Sequence, residues 1–158
     1  MLGILDTGQI EDLLGSQVLG RIGCHADDLT YVVPLSYAYD GTFIYAHSDE
    51  GLKTSIMRKN PKVCFQVDDM KDMANWRSVI SWGVFEELTD PEQRNDAIKR
   101  LANRVLPLVS SEKTHLSKHW PFPDDDTSDI RGVIFRIRLT EKTGRFENND
   151  VSAFFRRE

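Results

Sequence analysis

The sequence contains little that is typical of a secreted, membrane-spanning or zinc-binding protein. It has only two cysteines in 158 residues, Cys24 and Cys64, and no Cys-x-x-Cys pair, so a zinc ribbon or thioredoxin-like site has no support. Both cysteines lie among apolar residues, where a buried free thiol is more ordinary than a disulfide or a reactive thiol. No apolar run approaches the roughly 18 residues of a membrane span, and the N-terminus lacks the basic segment of a secretory signal. We therefore expect a cytoplasmic protein with no membrane partner.

The chain also lacks the features of common nucleic-acid and nucleotide binders. Its net charge is −5, from 20 Lys and Arg against 25 Asp and Glu, whereas a general nucleic-acid binder needs a basic face to displace counterions. Neither of the glycine-rich phosphate motifs, GxGxxG and GxxxxGK[ST], occurs. We therefore expect no nucleic-acid partner, although a local basic pocket is compatible with this charge.

Alternating polarity predicts a mainly β fold with a few helices. Hairpin links between alternating strands favour an antiparallel barrel with peripheral helices over a parallel sheet, which would need regular βαβ units. The length is that of one domain, which we place at residues 1–147, followed by a polar tail at 148–158. The six predicted strands are 18–25, 31–39, 42–46, 62–68, 77–88 and 131–146, and the three predicted helices are 7–17, 51–59 and 91–105.

The stretch from residue 31 to residue 67 carries the strongest chemical signal. Asp40-Gly41 between two apolar segments predicts a tight hairpin turn. After the second strand, the cluster His47-Ser48-x-x-Gly51-x-Lys53 brings an imidazole, a hydroxyl and an ammonium to the start of a helix. Helix N-terminal amides and a lysine together suit a phosphate group. An ordinary helix capped by Ser48 or Asp49, with a surface lysine, explains the same pattern.

Three further groups of residues are candidates for a binding site. Trp76 and Arg77 open a long strand and could stack on a planar charged ligand, or could simply be a rim tryptophan and a solvated arginine. Trp120, in a stretch with two prolines, fits a lid, a subunit contact or local core. His115 and His119 precede an acidic run, but no complete ligand set is evident, so we predict no metal site.

The order of several segments resembles one protein family. The chain is identified as a member of the pyridoxamine 5′-phosphate oxidase-like FMN-binding split barrels, and it is most similar to the flavin-nucleotide-binding branch that includes nitroimidazole-resistance-type proteins. The resemblance implies a six-stranded antiparallel split barrel that binds FMN at a homodimer interface. The matching segments, which span roughly residues 5–146, are LGRIGC (19–24), YVVPLSYAYDG (31–41), IYAHS and GLK (44–53), NPKVCFQVD (60–68) and RSVISWGVFEEL (77–88).

The resemblance also implies roles for individual residues. The strand at 33–36 would run along the isoalloxazine ring, and Lys53 would hold the phosphate. Ser78 stands where the oxidases have a glutamine, so its hydrogen bond to the flavin edge would have a shorter reach. Trp76 and Trp120 would cover the flavin from the partner subunit. The implied cofactor-binding residues are Val33, Pro34, Leu35, Ser36, His47, Ser48, Leu52, Lys53, Trp76, Arg77, Ser78, Val79 and Trp120.

The resemblance further implies a flavin-dependent oxidoreductase that acts on an unidentified small molecule. Two departures argue against pyridoxamine phosphate oxidation itself. VVPLS (32–36) replaces the arginine-rich strand of the full oxidases, and the C-terminal GRFENNDVSAFFRRE does not match their substrate-binding segment. A non-catalytic flavin or haem binding module for storage or sensing, and an interaction protein with an empty site, are the alternatives, because one barrel hosts several ligands. No catalytic side chain is assigned.

Overall fold

The computed structural model describes residues 1–105 and 130–149 as one antiparallel sheet with three helices. Within these residues, no helix combines the length and the apolar character that crossing a membrane requires. The helices are α1 (Thr7–Ser16), α2 (Leu52–Lys59) and α3 (Pro91–Val105). The strands are β1 (Leu2–Ile4), β2 (Leu19–Ala26), β3 (Leu29–Ser36), β4 (Ala38–Tyr39), β5 (Phe43–Ser48), β6 (Lys62–Asp72), β7 (Asn75–Glu87) and β8 (Val133–Asn148).

The order of the strands makes the sheet curl into an incompletely closed barrel. It runs β3-β2-β6-β7-β8-β5-β4, and β1 pairs with β8 beside this path. The strands at the two ends of the path, β3 and β4, are consecutive in the chain and are separated only by Tyr37. The sheet therefore returns to its starting point but leaves an open seam beside β3, whose one strand partner within residues 1–105 and 130–149 is β2. The predicted antiparallel split-barrel fold is confirmed.

The described residues form eight strands, whereas the sequence predicted six. One additional strand arises because the predicted strand 31–39 is divided at Tyr37. The backbone N–H of Tyr37 donates to the carbonyl oxygen of Val18 at 3.0 Å, and its hydroxyl donates to that of Leu14 at 2.6 Å. The first bond continues the pairing of β3 with β2 by one residue, and the chain then changes partner, because Ala38 and Tyr39 pair with β5. The other additional strand, β1, has only three residues, which is too short for a periodic pattern to show.

Two apolar clusters hold the helices against the sheet. The larger cluster fills the barrel around Ile22, Phe65 and Phe135, and α2 contributes Met57 to it. The smaller cluster lies outside β5 and β8, where α3 packs against Ile134. Because the first half of β8 is covered on both faces, its residues 133–135 are all buried. The two cysteines are free thiols, as predicted, with Cys24 buried and Cys64 half-buried.

The starts of α1 and α2 differ from the predicted caps. Asp6, and not Thr7, caps α1: its carboxylate accepts the N–H of Gln9 at 2.9 Å, and the Gln9 side chain accepts the N–H of Asp6 at 2.9 Å. No side-chain acceptor caps α2, because the Ser48 hydroxyl donates instead to the carbonyl oxygen of Asp49 at 3.0 Å. The prediction that Ser48 or Asp49 caps this helix is therefore wrong.

Candidate functional site

The candidate site follows the open seam between β3 and the start of α2. One edge of β3 pairs with β2, and its other edge has no strand partner among the described residues. Such an edge presents unpaired backbone N–H and C=O groups. Tyr31 of β3 pairs with Cys24, whose thiol interacts electrostatically with Lys53. Lys53 therefore lies towards the Tyr31 end of β3, and Ser36 lies five residues, or roughly 16 Å, further along the strand.

Lys53 is a half-buried cation at one end of this seam. Removal from water lowers the pKa of its ammonium group, and electrostatic interactions with Cys24 and Asp49 only partly oppose that shift. Within residues 1–105 and 130–149, no hydrogen bond or ion pair involves this ammonium group. A desolvated charge without a counter-ion destabilises a fold. Such a charge is therefore a candidate for binding an anionic ligand.

The N-terminus of α2 adds hydrogen-bond donors beside Lys53. The first bond of the helix runs from the N–H of Ser55 to the carbonyl oxygen of Gly51 at 3.0 Å. The N–H groups of Leu52, Lys53 and Thr54 precede that bond and therefore have no acceptor within the helix. No side chain caps them. The helix dipole and the ammonium of Lys53 together favour an anion at this end.

His47 and Ser48, at the end of β5, are held by the segment that leads into β8. The Nε2 atom of His47 lies 2.8 Å from the carbonyl oxygen of Arg131, so Nε2 carries the hydrogen. Gly132 adopts φ +94°, and a Cβ there would lie 2.8 Å from the carbonyl oxygen of Ser48 and 2.9 Å from His47 Nε2. Only glycine fits both this conformation and this space. No local pattern predicts this contact, because it joins residues 84 positions apart.

The four residues predicted to line the flavin ring alternate between the two sides of β3. The side chain of Leu35 is buried in the barrel core, and that of Val33 packs partly against the same core. Pro34 is exposed on the outward face, and Ser36 is half-buried. Because the core already surrounds Leu35, this residue can offer a ligand only its backbone. Leu52, at the start of α2, is half-exposed.

The predicted cofactor residues of β7 lie away from the open edge of β3. Arg77 donates to the carboxylates of Asp12 and Asp69, each at 3.1 Å, and these bonds raise its pKa. The indole N–H of Trp76 donates to Glu147 at 3.2 Å. β2 and β6 separate β7 from β3 in the sheet, and three strand spacings amount to roughly 14 Å. A single chain therefore does not place these residues along the open edge of β3.

Ser78 and Val79 of the same strand point to opposite faces of the sheet. The hydroxyl oxygen of Ser78 accepts a hydrogen bond from the side-chain amide of Gln66 at 3.1 Å on the outward face. Val79 is completely buried and pairs with Val67 in the barrel core. Its side chain has no surface available to a ligand. Trp120, His115 and His119 lie outside the described residues.

The outward face of β3, β2, β6 and β7 carries an apolar patch, which we call the outer patch. Strand pairing places Val32, Gly23, Cys64 and Trp82 in one row across it. Val32 and Trp82 are 61% and 40% exposed, and Ile80 is 41% exposed. The row borders a trough of about 460 Å³. Clustered exposed apolar side chains of this kind are typical of an interaction surface.

Acidic and metal-ligating side chains do not gather in the described part of the chain. No three His, Cys, Asp or Glu side chains within it lie close enough together to hold a metal ion. The ammonium of Lys53 and the backbone N–H groups at the start of α2 are suited to an anion, and the unpaired edge of β3 offers backbone hydrogen-bond groups.

Comparison with known proteins places the chain in a family. The family model described as pyridoxamine 5′-phosphate oxidase matches residues 6–146. The chain belongs to this family, and the resemblance inferred from its sequence is confirmed.

Three relatives illustrate the range of this similarity. The uncharacterized protein RA0666 of Rhizobium meliloti is 33% identical over 142 residues, which are 90% of this chain and 93% of that protein. The crystal structure of an FAD-binding protein from Mesorhizobium loti is 29% identical with a TM-score of 0.75, and the match covers 94% of this chain and 99% of that one. A Bacteroides thetaiotaomicron protein provisionally assigned to 5-nitroimidazole antibiotic resistance shares the fold, at 18% identity and a TM-score of 0.70, with 92% and 87% covered.

Proposed function

We propose that this chain binds FMN along the seam beside β3 and acts as a flavin-dependent oxidoreductase of a small molecule. The observation that carries the proposal is Lys53, a half-buried ammonium that has no hydrogen bond or ion pair among the described residues. It stands at a helix start where three backbone N–H groups also lack helical acceptors. A phosphate group would supply the missing negative charge and the missing acceptors. The relative from Mesorhizobium loti is described as FAD-binding, which supports a flavin.

The open edge of β3 suits the rest of a flavin. The isoalloxazine ring is flat, and its pyrimidine edge carries alternating hydrogen-bond donors and acceptors. The unpaired edge of β3 offers backbone donors and acceptors along the same line. Val33 adds apolar surface next to that edge. The length of strand between Tyr31 and Ser36 leaves room for the ribityl chain between phosphate and ring.

We favour FMN over FAD because of the charges at the phosphate end. One lysine and one helix N-terminus serve this end, and Asp49 and Glu50 directly precede them in the chain. The second phosphate of FAD would add negative charge close to two carboxylates. A single terminal phosphate matches the available donors more closely.

The residues of this chain would bind and orient the cofactor, and the reaction chemistry would belong to the flavin. When bound, a flavin supplies hydride or single-electron transfer at its ring. Lys53 and the amides of α2 would hold the phosphate, while the β3 backbone would fix the ring by its polar edge. The barrel wall would keep water from one face of the ring.

A second copy of this chain would complete the proposed site. Trp76 and Ser78 are three strands away from β3 in their own chain, so they can reach a flavin only from a partner. The outer patch gives the two copies an apolar surface to bury. We therefore propose a homodimer formed through the outer patch, with Trp82 near its centre. Trp82→Asp should yield monomers by light scattering and weaken FMN binding. A dimer that persists in this variant would contradict the proposed interface.

The cofactor that accompanies the purified protein tests the proposed function directly. We expect a yellow protein that releases FMN on denaturation and is bleached by NADH or NADPH without oxygen. Protein that neither retains nor binds a flavin would contradict the flavin site. Release of FAD would contradict the choice of FMN but not the flavin site itself. A flavin that neither nicotinamide nucleotide reduces would favour a non-catalytic binding module, and a Soret band would indicate haem.

A further inference from the structure

Arg58 on α2 reaches back to the loop that precedes the helix. Its Nη1 and Nη2 atoms donate to the two carboxylate oxygens of Glu50, each at 2.7 Å. Its Nε and Nη2 atoms donate to Glu87 at 2.9 Å and 2.8 Å. Arg58 follows Gly51 by seven residues, or about two helical turns, and helical side chains lean towards the N-terminus. One guanidinium therefore clamps this loop to the end of β7.

Thr54 fixes the same loop from the buried side of the helix. Its side chain is completely buried, and its hydroxyl oxygen accepts the N–H of Gly51 at 3.0 Å. The hydroxyl also lies 3.0 Å from the carbonyl oxygen of Gly51. Gly51 itself has no side chain with which to hold the turn. Gly51, at the start of the helix, is therefore held by Thr54, and the neighbouring Glu50 is held by Arg58.

Arg58 also changes the charge beside the proposed phosphate position. Glu50 stands two residues before α2, where an uncompensated carboxylate would repel a phosphate. The hydrogen bonds from Arg58 lower the pKa of Glu50 and of Glu87, so both carboxylates stay ionised. Two negative groups and one positive group leave a net charge of −1, where Glu50 and Glu87 alone would leave −2. Removing Arg58 would therefore loosen the loop and also make it more negative.

We infer that Arg58 is the positioning residue that makes this site prefer a phosphorylated flavin over riboflavin. The inference rests on the proposed function. Arg58 acts through the backbone of Glu50 and Gly51 and through the charge of Glu50. Riboflavin has the same ring and ribityl chain as FMN and lacks only the phosphate. A residue that merely stabilised the fold would affect the two ligands alike.

Fluorescence titration of the apoprotein with FMN and with riboflavin tests this role. Arg58→Gln should weaken FMN binding about tenfold and leave riboflavin binding unchanged. Arg58→Lys should recover part of the loss, because it restores the charge but not the two-pronged hydrogen bonds. Arg138→Gln is the matched control: it removes an ion pair with Glu86, next to Glu87 on β7, and does not touch the loop. Its ratio of FMN to riboflavin affinity should equal that of the wild type.

The outcomes separate this inference from the proposed function. If the wild type binds neither flavin, the proposed function fails and the inference fails with it. If the wild type prefers FMN and Arg58→Gln keeps the same ratio of affinities, only the inference is wrong. An equal loss for both ligands would likewise show a purely structural role. Thermal melting without ligand establishes that each variant folds. Should Arg58→Gln not fold, Arg58→Lys must itself show a lowered ratio for the inference to stand.

Discussion

Lys53 and Arg77 are both cations that the family resemblance assigns to the cofactor site. Their surroundings in the folded chain differ. Arg77 donates to Asp12 and Asp69, each at 3.1 Å, so its charge is already matched. Lys53 is desolvated and has no hydrogen bond or ion pair in the described part of the chain. Whether a charged side chain is already paired with a protein group therefore indicates a binding site better than its residue type does. A charge that the fold leaves unmatched is available to a ligand.

The surroundings of the two cations differ in the same sense. The pairs of Arg77 join β7 to α1 through Asp12 and to β6 through Asp69, which is a structural role. Around Lys53, the side chains of Thr54 and Arg58 hold the preceding loop while no described side chain holds the lysine itself. The loop is therefore held in place beside an ammonium group that makes no hydrogen bond or ion pair in the described part of the chain. This arrangement is typical of preorganised binding sites.

The largest expected effect is on FMN affinity when each cation is removed. Lys53→Ala should weaken FMN binding roughly 10- to 100-fold, since charge-assisted hydrogen bonds contribute about 1.5–3 kcal/mol. Arg77→Ala should change it much less, because its partners are protein carboxylates. Fluorescence titration measures both. Equal losses in the two variants would contradict the claim that only Lys53 is available to the ligand. Unchanged affinity in Lys53→Ala would contradict the proposed role of this lysine.

A second prediction concerns the segment that supports the phosphate end. Gly132→Ala should destabilise the protein by about 1–3 kcal/mol and weaken FMN binding, because the new Cβ would meet Ser48 and His47. Gly41→Ala is the control: Gly41 also has a positive φ, +97°, but no atom lies within 4 Å of the added Cβ. It should lower the unfolding temperature without changing FMN affinity. Similar losses of affinity in both variants would contradict the link between Gly132 and the site.

A third prediction uses the stability of the ligand-free protein, where the two cations should act in opposite directions. Lys53→Met removes a desolvated charge and should raise the unfolding temperature, by about 2–4 °C for each kcal/mol gained. Arg77→Met breaks two ion pairs and leaves Asp12 and Asp69 without their partner, so it should lower that temperature. Calorimetry of both variants without ligand gives the sign of each change in unfolding temperature. A destabilised Lys53→Met variant would show that Lys53 serves the fold.

The smallest expected effect is a dependence on pH. Burial holds the pKa of Lys53 below its usual 10.5 in the ligand-free protein. The cost of the buried charge is therefore present below the lowered pKa and is relieved as the pH rises through it. FMN needs the charged lysine, so its affinity should fall over the same alkaline range while apoprotein stability gains. Lys53→Met should abolish this dependence in both measurements, and a dependence that survives in the variant would assign it to another group.

Local patterns predicted most of the secondary structure. The presence of a hairpin near Gly41, the helix that Pro91 opens and the alternation along β6 all depend on neighbours within a few residues. The turn itself is formed by Gly41 and Thr42 and not by Asp40 and Gly41, because the N–H of Asp40 donates to the carbonyl oxygen of Phe43. The errors arose where a distant contact took precedence. The predicted strand 31–39 is divided at Tyr37 because the residues up to Ser36 pair with β2, whereas Ala38 and Tyr39 pair with β5. The predicted cap of α2 was wrong because the Ser48 hydroxyl donates to the carbonyl oxygen of Asp49 in its own loop. It therefore does not accept an N–H of the helix.

The order of the main strands and helices can be inferred from local periodicity. The family and the cluster from His47 to Lys53 can be inferred from short motifs in a fixed order. Which cation is available to a ligand depends instead on contacts made in the folded chain. The bonds of Arg77 to Asp12 and of His47 to Arg131 join positions 65 and 84 residues apart. Periodicity predicts which face of a segment is buried, but it does not predict which distant group comes within hydrogen-bond distance. The availability of Lys53 is therefore a property of the folded chain.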